Sequence, residues 1–469
     1  MQLHHTLLAV LIASSLAACG GGNLEGGGSA SATETPVTET PVTETPVTGT
    51  PATETPVEAI SGDPAYFTYE GAEPAWIAIK GTGGIGRKES ATIVFKLVDA
   101  NGDIIVGEPV TFSLDQFPYG SILLVEDGVT DANGLVNTAV KSGAGTGPIV
   151  ITAKSVNYPD IQQVSNSLAV STGLPDQDSF TLASDVYNIE ALASYSETAN
   201  ISVNLGGATG NNSVVDGTDI LFRAEGGVIT PTCKSLNNAC SVVWKATNPR
   251  PDNGRVTITA YASGTESFTD AKPSDGKFNE GEEYVDVSEV FQDYNSNGVY
   301  DYGEIYIDVM DVDGSISGDF SIGDGKYTGV QCEEGATHCN HGKIYIFDNI
   351  ELVLSGTKFT CQFSLPSVDL TSTNPVELEV SIFDENGNIP PFETTIVATA
   401  NNGVIDGQSS WSVGNSNAYG TKFKVKMKNE VPLNEVTDDS LLFTITTPKG
   451  KVDYCSIDVK DSPEAVAAP

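Results

Sequence analysis

The stretch ATIVFKLVDANGDIIVGEPVTFSL, residues 91–114, decides the fold of this 469-residue chain. Residues 91–98 alternate between apolar and polar side chains, a pattern typical of a half-buried β-strand. An Asn-Gly turn follows at residues 101–102. Residues 107–114 then predict a second strand whose apolar side chains lie on one face. The stretch therefore predicts two strands joined by a turn.

Further elements follow this stretch in a fixed order. They are T-D-A-N-G at residues 130–134, S-G at residues 142–143 and an apolar strand at residues 147–153. Together with the opening stretch they resemble the bacterial immunoglobulin-like domain of the invasin and intimin type (group 1), over about residues 75–172. The resemblance implies an antiparallel β-sandwich and, by analogy, a role in adhesion.

Two looser copies of the pattern follow. In the second copy, residues 216–222 correspond to the strand at 107–112, and residues 254–260 repeat the strand that ends the first copy. The third copy has a strand at residues 376–383 and an Asn-Gly turn at 386–387. We therefore expect an all-β chain of tandem immunoglobulin-like sandwiches.

The N-terminus predicts export and a lipid anchor. The apolar run Leu7–Ala18 is too short to span about 30 Å of hydrocarbon and is typical of a signal peptide, although no Lys or Arg precedes it. The residues Leu16-Ala17-Ala18-Cys19 resemble the bacterial lipobox, which implies that Cys19 is lipidated. Gly20 resembles the sorting signal for the outer membrane, so we expect an outer-membrane lipoprotein on the cell surface or the periplasmic face. The alternative is an ordinary cleaved signal with a chance cysteine.

The predicted tether consists of residues 19–62, where a TETPV repeat favours extended, disordered chain. The predicted order is a signal peptide (1–18), this tether, and immunoglobulin-like domains at 63–174, 175–356 and 357–462. The second domain is interrupted between Ala262 and Lys343. The interruption contains an acidic insertion, residues 264–330, with sixteen Asp or Glu against three Lys.

Charge and motifs exclude several classes of function. The formal net charge of −39 repels nucleic acid and attracts divalent cations. The sequence contains no G-x-S-x-G, no H-E-x-x-H and no phosphate-binding glycine loop. Only His338 and His341 follow the predicted signal peptide. We therefore expect no nucleic-acid partner and no enzymatic activity.

The six cysteines beyond Cys19 indicate disulfides, as expected in an oxidising compartment. Six cysteines allow fifteen pairings. Proximity favours the pairs Cys233–Cys240 and Cys332–Cys339, which leaves Cys361–Cys455. An alternative is a metal site formed by Cys332, His338, Cys339 and His341, whose spacing fits zinc poorly.

The most specific motif is DYNSNGVYDYGE, residues 293–304, which resembles the calcium loop of EF-hands and dockerins. Calcium prefers six to eight oxygen ligands. Tyr300 stands where that family prefers an aliphatic residue, and the flanks alternate like strands, so we expect an isolated loop rather than a helix pair. The predicted calcium ligands are Asp293, Asn295, Asn297, Val299 through its carbonyl, Asp301 and Glu304.

A degenerate copy lies upstream, where residues 275–282 match residues 297–304 position by position. Asp270 lies one step away from the first ligand position. This weaker calcium loop would use Asp270, Asp275, Asn279 and Glu282. The alternative for both loops is a solvated acidic segment without a specific ion.

These observations predict a non-enzymatic, calcium-stabilised surface stalk for adhesion or interaction with an unknown protein or glycan. One alternative is a structural spacer or an accessory subunit of an envelope complex. Another is glycan binding through exposed aromatic residues such as Tyr300 and Tyr302. The tryptophans, one in each copy, are interpreted as core or junction residues; they are Trp76, Trp244 and Trp411.

Overall fold

The computed structural model describes residues 62–461, except 85–86, 208–213, 309–318, 371–373 and 430–436. Cys19, the predicted signal peptide and the predicted tether up to residue 61 lie outside the described residues. The described residues belong to one compact unit, Val57–Pro469. Their only helical element is a short 3₁₀ turn, Gln177–Ser179, and none of their helices is long and apolar enough to cross a membrane.

Sandwich 1 contains ten strands in two sheets. Its strands are β1 (Pro64–Glu73), β2 (Trp76–Ala78), β3 (Ser90–Asp99), β4 (Pro109–Gln116), β5 (Ile122–Leu123), β6 (Asp127–Val129), β7 (Leu135–Lys141), β8 (Gly147–Ser155), β9 (Gln162–Val164) and β10 (Leu168–Ser171). One sheet has the order β1-β3-β7-β5 and the other β2-β10-β8-β4-β6, with β9 paired to β8.

Sandwich 2 is interrupted by the acidic insertion. Its strands before the insertion are β11 (Thr181–Ser184), β12 (Asn188–Ile189), β13 (Thr198–Asn204), β14 (Asp219–Ala224), β15 (Val228–Ile229), β16 (Thr232–Lys234), β17 (Ala239–Lys245) and β18 (Arg255–Gly264). The insertion contributes β19 (Val290–Phe291), β20 (Tyr306–Ile307), β21 (Tyr327–Thr328) and β22 (Cys339–Asn340), and the sandwich resumes with β23 (Ile344–Leu354). Its sheets have the orders β11-β13-β17-β15 and β12-β23-β18-β14-β16.

Sandwich 3 completes the described chain. Its strands are β24 (Phe359–Phe363), β25 (Val368–Asp369), β26 (Val376–Asp384), β27 (Thr395–Ala400), β28 (Val404–Ile405), β29 (Ser410–Ser412), β30 (Thr421–Lys428), β31 (Thr437–Thr446) and β32 (Val452–Asp461). Its sheets have the orders β24-β26-β30-β28 and β25-β32-β31-β27-β29.

The three sandwiches share one strand order. In each, a short parallel strand joins the edge of the larger sheet, through the pairs β2–β10, β12–β23 and β25–β32. The expectation of an all-β chain of tandem immunoglobulin-like sandwiches is therefore confirmed, and the loosely patterned third copy has the same strand order as the first.

Each sandwich encloses its own apolar core. In β3, the alternating residues Ile93, Phe95 and Leu97 are buried, as expected when successive side chains point to opposite faces and one face is covered. In sandwich 2, Trp244 is fully buried and its indole N–H donates to the Gly226 carbonyl at 2.8 Å. In sandwich 3, Trp411 stacks on Phe423 with ring centroids 4.3 Å apart. Trp244 therefore belongs to the core of sandwich 2, and Trp411 packs against the core of sandwich 3.

A buried polar network joins sandwich 2 to sandwich 3. The guanidinium of Arg255 forms an ion pair with Glu351, donates through Nε to Asn388 at 2.8 Å and stacks on the Tyr419 ring at 3.7 Å. Asn188 donates to the carbonyl of Pro390 at 2.8 Å. The Arg255 guanidinium and the Asn188 side-chain amide each contact several partners across this junction, and these contacts fix the orientation of sandwich 2 relative to sandwich 3.

A candidate calcium-binding insertion

The insertion occupies the connection between β18 and β23, residues 265–343. The corresponding connection in sandwich 1, between β8 and β10, is residues 156–167. The insertion extends beyond residue 330 because the Cys332–Cys339 loop packs on its aromatic cluster, which is formed by Phe268, Phe278, Tyr284 and Tyr327. This folded segment is therefore larger than its acidic part.

The Asp293 loop, residues 293–304, is organised by two buried carboxylates. Asp293 and Glu304 are 5% and 8% exposed. The Asp293 carboxylate accepts the N–H groups of Asn297 and Gly298 at 3.1 and 2.6 Å. That of Glu304 accepts the N–H groups of Tyr294 and Asp301 at 2.8 and 2.9 Å. The first and last predicted ligands thus close the loop from both ends.

The remaining predicted side-chain ligands, Asn295, Asn297 and Asp301, contact one another. Asn295 and Asn297 both approach one carboxylate oxygen of Asp301, each at 2.7 Å through its Nδ2. Gly298 has φ of 77°, the left-handed conformation that the sharp reversal requires and that glycine adopts without strain. The N–H of Val299 donates to Asn297 at 2.8 Å. The structure therefore gathers the Asn295 and Asn297 side chains around the Asp301 carboxylate, with their amide nitrogens facing it.

Strands flank the Asp293 loop, as its alternating flanks predict. β19 pairs with β20 in antiparallel register. Tyr300 stacks on Phe320 with centroids 4.0 Å apart, and Phe291 lies 5.5 Å from Phe347 of β23. The aromatic residue at the eighth position thus belongs to a cluster that supports the loop on sandwich 2. Tyr302, by contrast, is fully exposed.

Two hydrogen bonds fix the Asp293 loop and its flank to sandwich 2. The hydroxyl of Thr257, in β18, donates to the carbonyl of Asp293 at 2.9 Å. The side-chain amide of Asn349, in β23, donates to the carbonyl of Phe291 at 3.1 Å.

The upstream Asp270 loop, residues 270–282, repeats the arrangement of the Asp293 loop. The Asp270 carboxylate accepts the N–H groups of Asp275 and Gly276 at 3.0 and 2.8 Å. The Glu282 carboxylate accepts those of Ala271 and Asn279 at 3.0 and 2.8 Å. Asp270 is therefore the structural counterpart of Asp293, and the turn that follows it contains one extra residue.

A third arrangement of this kind, which we name the split loop, combines Glu266, Asp286 and residues 324–328. Glu266 accepts N–H groups from Val287 and Thr328 at 2.8 and 2.6 Å, as Glu304 does in the Asp293 loop. The remaining bonds run from the N–H groups of Asp324 and Gly325 to Asp286, at 3.2 and 3.0 Å. No sequence motif reveals this loop, because its parts are separated by up to 62 positions along the chain. The only local signal is D-G-K-Y-T at residues 324–328.

Two carboxylates of the insertion, those of Glu266 and Asp270, have raised pKa values. Burial raises the pKa of Glu266 to about 7, and the nearby Asp286 and Asp324 carboxylates add to the rise. Burial also raises the pKa of Asp270, again with a contribution from Glu282 and Asp275. In both places negative charges gather where water is partly excluded, a setting that a cation would relieve.

The donor set of the Asp293 loop matches calcium chemistry. Among the described residues, no group of three or more His, Cys, Asp or Glu is arranged to hold a metal ion. By residue type, the Asp293 loop contains carboxylates, side-chain amides and backbone carbonyls, a set of oxygen donors that calcium accepts and that zinc does not prefer.

The six cysteines form the three disulfides that their spacing favours: Cys233–Cys240, Cys332–Cys339 and Cys361–Cys455. The alternative metal site at Cys332 and Cys339 is wrong, because both sulfurs are bonded to each other. Nδ1 of His341 lies 2.6 Å from the Cys332 carbonyl, and the ring of His338 lies 5.9 Å from that of Phe278.

This chain is similar to several solved structures at low sequence identity. No family model matches the sequence, and no curated protein is similar to it. Among solved structures, the D0-D1 domain of intimin is 17% identical (42% of this chain, 90% of that chain, TM-score 0.20). The Escherichia coli adhesin FdeC is 11% identical (86% and 99%, TM-score 0.27), and invasin, described as a bacterial integrin-binding protein, is 14% identical (85% and 60%, TM-score 0.21). Intimin and invasin give their names to the group of domains that the motifs of residues 75–172 resemble.

Proposed function

We propose that this protein is a non-enzymatic, lipid-anchored stalk that holds immunoglobulin-like sandwiches outside the cell for adhesion, and that calcium stabilises it. The observation that carries the proposal is the combination of three sandwiches of one strand order with a single acidic insertion. The sandwiches supply a repeated scaffold with apolar cores. The insertion supplies clustered carboxylates, which a bound cation would stabilise.

The calcium part of the proposal is supported by the repeated hydrogen-bonding scheme. In the Asp293, Asp270 and split loops alike, an Asp accepts two successive N–H groups and a Glu accepts two more. Asp293, Asn295, Asn297, Asp301, Glu304 and the Val299 carbonyl would hold the ion in the Asp293 loop, the strongest of the three. The ion would neutralise clustered carboxylates and order the loop.

The anchor and the location are supported by the sequence. The Leu16–Cys19 lipobox would place a lipid at Cys19, and residues 20–61 would separate the lipid from the first sandwich. A stalk outside the cytoplasm is also consistent with three disulfides. The partner would be a protein or a glycan, because the net charge of −39 disfavours nucleic acid.

Of the two aromatic residues suggested for glycan binding, only Tyr302 is free to stack on a sugar. Tyr300 already packs against Phe320 and Phe291. Of these two residues, only Tyr302 could therefore contribute to a glycan-binding form of the proposal.

Protease treatment of intact cells tests the location and the anchor together. We expect added protease to release the folded sandwiches from cells, and calcium to leave the insertion uncut. In the matched Cys19→Ser variant the protein should lose its attachment to the membrane fraction. Full protection of the chain on intact cells, with cleavage only after the outer membrane is opened, would favour a periplasmic spacer instead.

A further inference from the structure

The Asp270 loop lies against one end of sandwich 1. The N–H of Tyr119 donates to the carbonyl of Asp275, and the N–H of Thr146 donates to the carbonyl of Gly276, both at 2.9 Å. Tyr119 and Thr146 lie in connections of sandwich 1, between β4 and β5 and between β7 and β8. Two backbone hydrogen bonds thus join two sandwiches through a loop inserted in one of them.

Side chains complete this contact. Gln331 is fully buried and its Nε2 donates to the Thr146 hydroxyl at 3.1 Å and to the Gly276 carbonyl at 3.3 Å. The ammonium of Lys277 lies 4.0 Å from the centre of the Tyr119 ring, and Val330 packs into the core of sandwich 1. The contact is therefore a packed interface and not a single touching point.

Gly276 shows how closely the two surfaces approach. Its φ of 76° belongs to the left-handed region, and a Cβ at this position would overlap the carbonyl of Thr146. Any larger residue would push the loop away from sandwich 1.

The peptide group between Asp275 and Gly276 connects this interface to the acidic site. Its N–H donates to the Asp270 carboxylate at 2.8 Å, while its C=O accepts the N–H of Tyr119 at 2.9 Å. One rigid peptide plane thus spans from a candidate calcium ligand to the backbone of sandwich 1. A change in the position of Asp270 must move the acceptor of Tyr119.

We propose that the Asp270 loop is a clamp that holds sandwich 1 against the insertion of sandwich 2, and that calcium tightens it. The calcium control rests on the proposed function, whereas the clamp stands on the contacts alone. The Asp293 loop has the same internal arrangement, but the hydrogen bonds that anchor it and its flank reach Thr257 and Asn349 of sandwich 2. It therefore provides a matched control inside the same chain.

Hydrogen exchange of the Tyr119 and Thr146 amides, measured on the full chain, tests the clamp. In the unmodified protein both amides should exchange about tenfold more slowly in calcium than in chelator, the factor expected from securing one hydrogen bond. Asp270→Ala should abolish this difference and make both amides exchange fast. Asp293→Ala should leave both amides protected. The amide of Phe95, inside sandwich 1, should not change in any sample.

Calorimetric titration of the same samples with calcium separates the two proposals. If calcium binds but the two amides respond to neither calcium nor Asp270→Ala, the clamp is wrong and the calcium-stabilised stalk survives. If calcium does not bind but Asp270→Ala still exposes both amides, the clamp stands and its calcium control fails. Equal loss of protection in the Asp270→Ala and Asp293→Ala variants would overturn the clamp, because both would then act through general loosening of the insertion.

Discussion

The core of sandwich 1 and the neighbouring insertion bury different kinds of side chain. In sandwich 1, the central strand β3 buries the apolar residues Ile93, Phe95 and Leu97. The insertion, which contacts sandwich 1, buries the carboxylates of Glu266, Asp293 and Glu304. Each apolar side chain contributes about 1.5–3 kcal/mol by leaving water, whatever ions are present. Each buried carboxylate, by contrast, is costly unless it is paired, protonated or bound to a cation. The two regions are neighbours, but only the insertion and its contacts with sandwich 1 should respond to calcium, whereas the apolar core of sandwich 1 should not.

The largest expected effect compares a cross-link in a sandwich with one in the insertion. Cys361–Cys455 closes a 94-residue separation between β24 and β32, and Cys332–Cys339 closes a 7-residue one. On the chain-entropy model, replacing the first pair by alanines should lower the free energy of unfolding by about 4.7 kcal/mol, and replacing the second by about 2.5 kcal/mol. Urea unfolding of the two double variants measures both values. Equal losses would mean that strain or residual structure outweighs loop entropy.

A core substitution tests whether the apolar core of sandwich 1 contributes the same free energy of unfolding with and without calcium. Phe95 is fully buried and contacts the rings of Tyr69 and Phe112. Phe95→Ala should cost about 3–5 kcal/mol, because it leaves a cavity as well as losing buried area. The loss should be the same in calcium and in chelator, as read from urea unfolding followed by a probe in sandwich 1.

The control for this core substitution is Tyr66→Ala, in β1. Its side chain is half exposed, so the free energy of unfolding should change by no more than about 0.5 kcal/mol. A Phe95→Ala penalty that depended strongly on calcium would show that the insertion and sandwich 1 unfold as one unit.

The sequence predicts the sandwiches better than the insertion, for a physical reason. The alternation at residues 91–98 reports one buried strand face directly and corresponds to β3, Ser90–Asp99. Likewise, the strand predicted at residues 254–260 corresponds to β18, Arg255–Gly264. Alternation is a local signal, and burial of one sheet face produces it in strands such as β3 and β7.

The acidic loops depend on less local information. The Asp293 motif is contiguous, so all of its predicted ligands could be named. In the Asp270 loop, one extra residue separates Asp270 from the rest of the loop, so a motif with the spacing of the Asp293 loop does not match Asp270. In the split loop, Glu266, Asp286 and Asp324 come together only after the chain has folded, and no spacing rule could join them.

The central claim is that calcium stabilises this chain through the Asp293 loop. Its most direct test is thermal unfolding in calcium and in chelator, for the unmodified protein and for the double variant Asp293→Ala with Glu304→Ala. At calcium concentrations about a hundredfold above the dissociation constant, binding should add about 2.7 kcal/mol, and the double variant should lose most of that gain. The double variant Glu126→Ala with Asp160→Ala, on exposed positions of sandwich 1, removes the same charge and should keep it. Equal melting temperatures of the unmodified protein in calcium and in chelator would contradict the account.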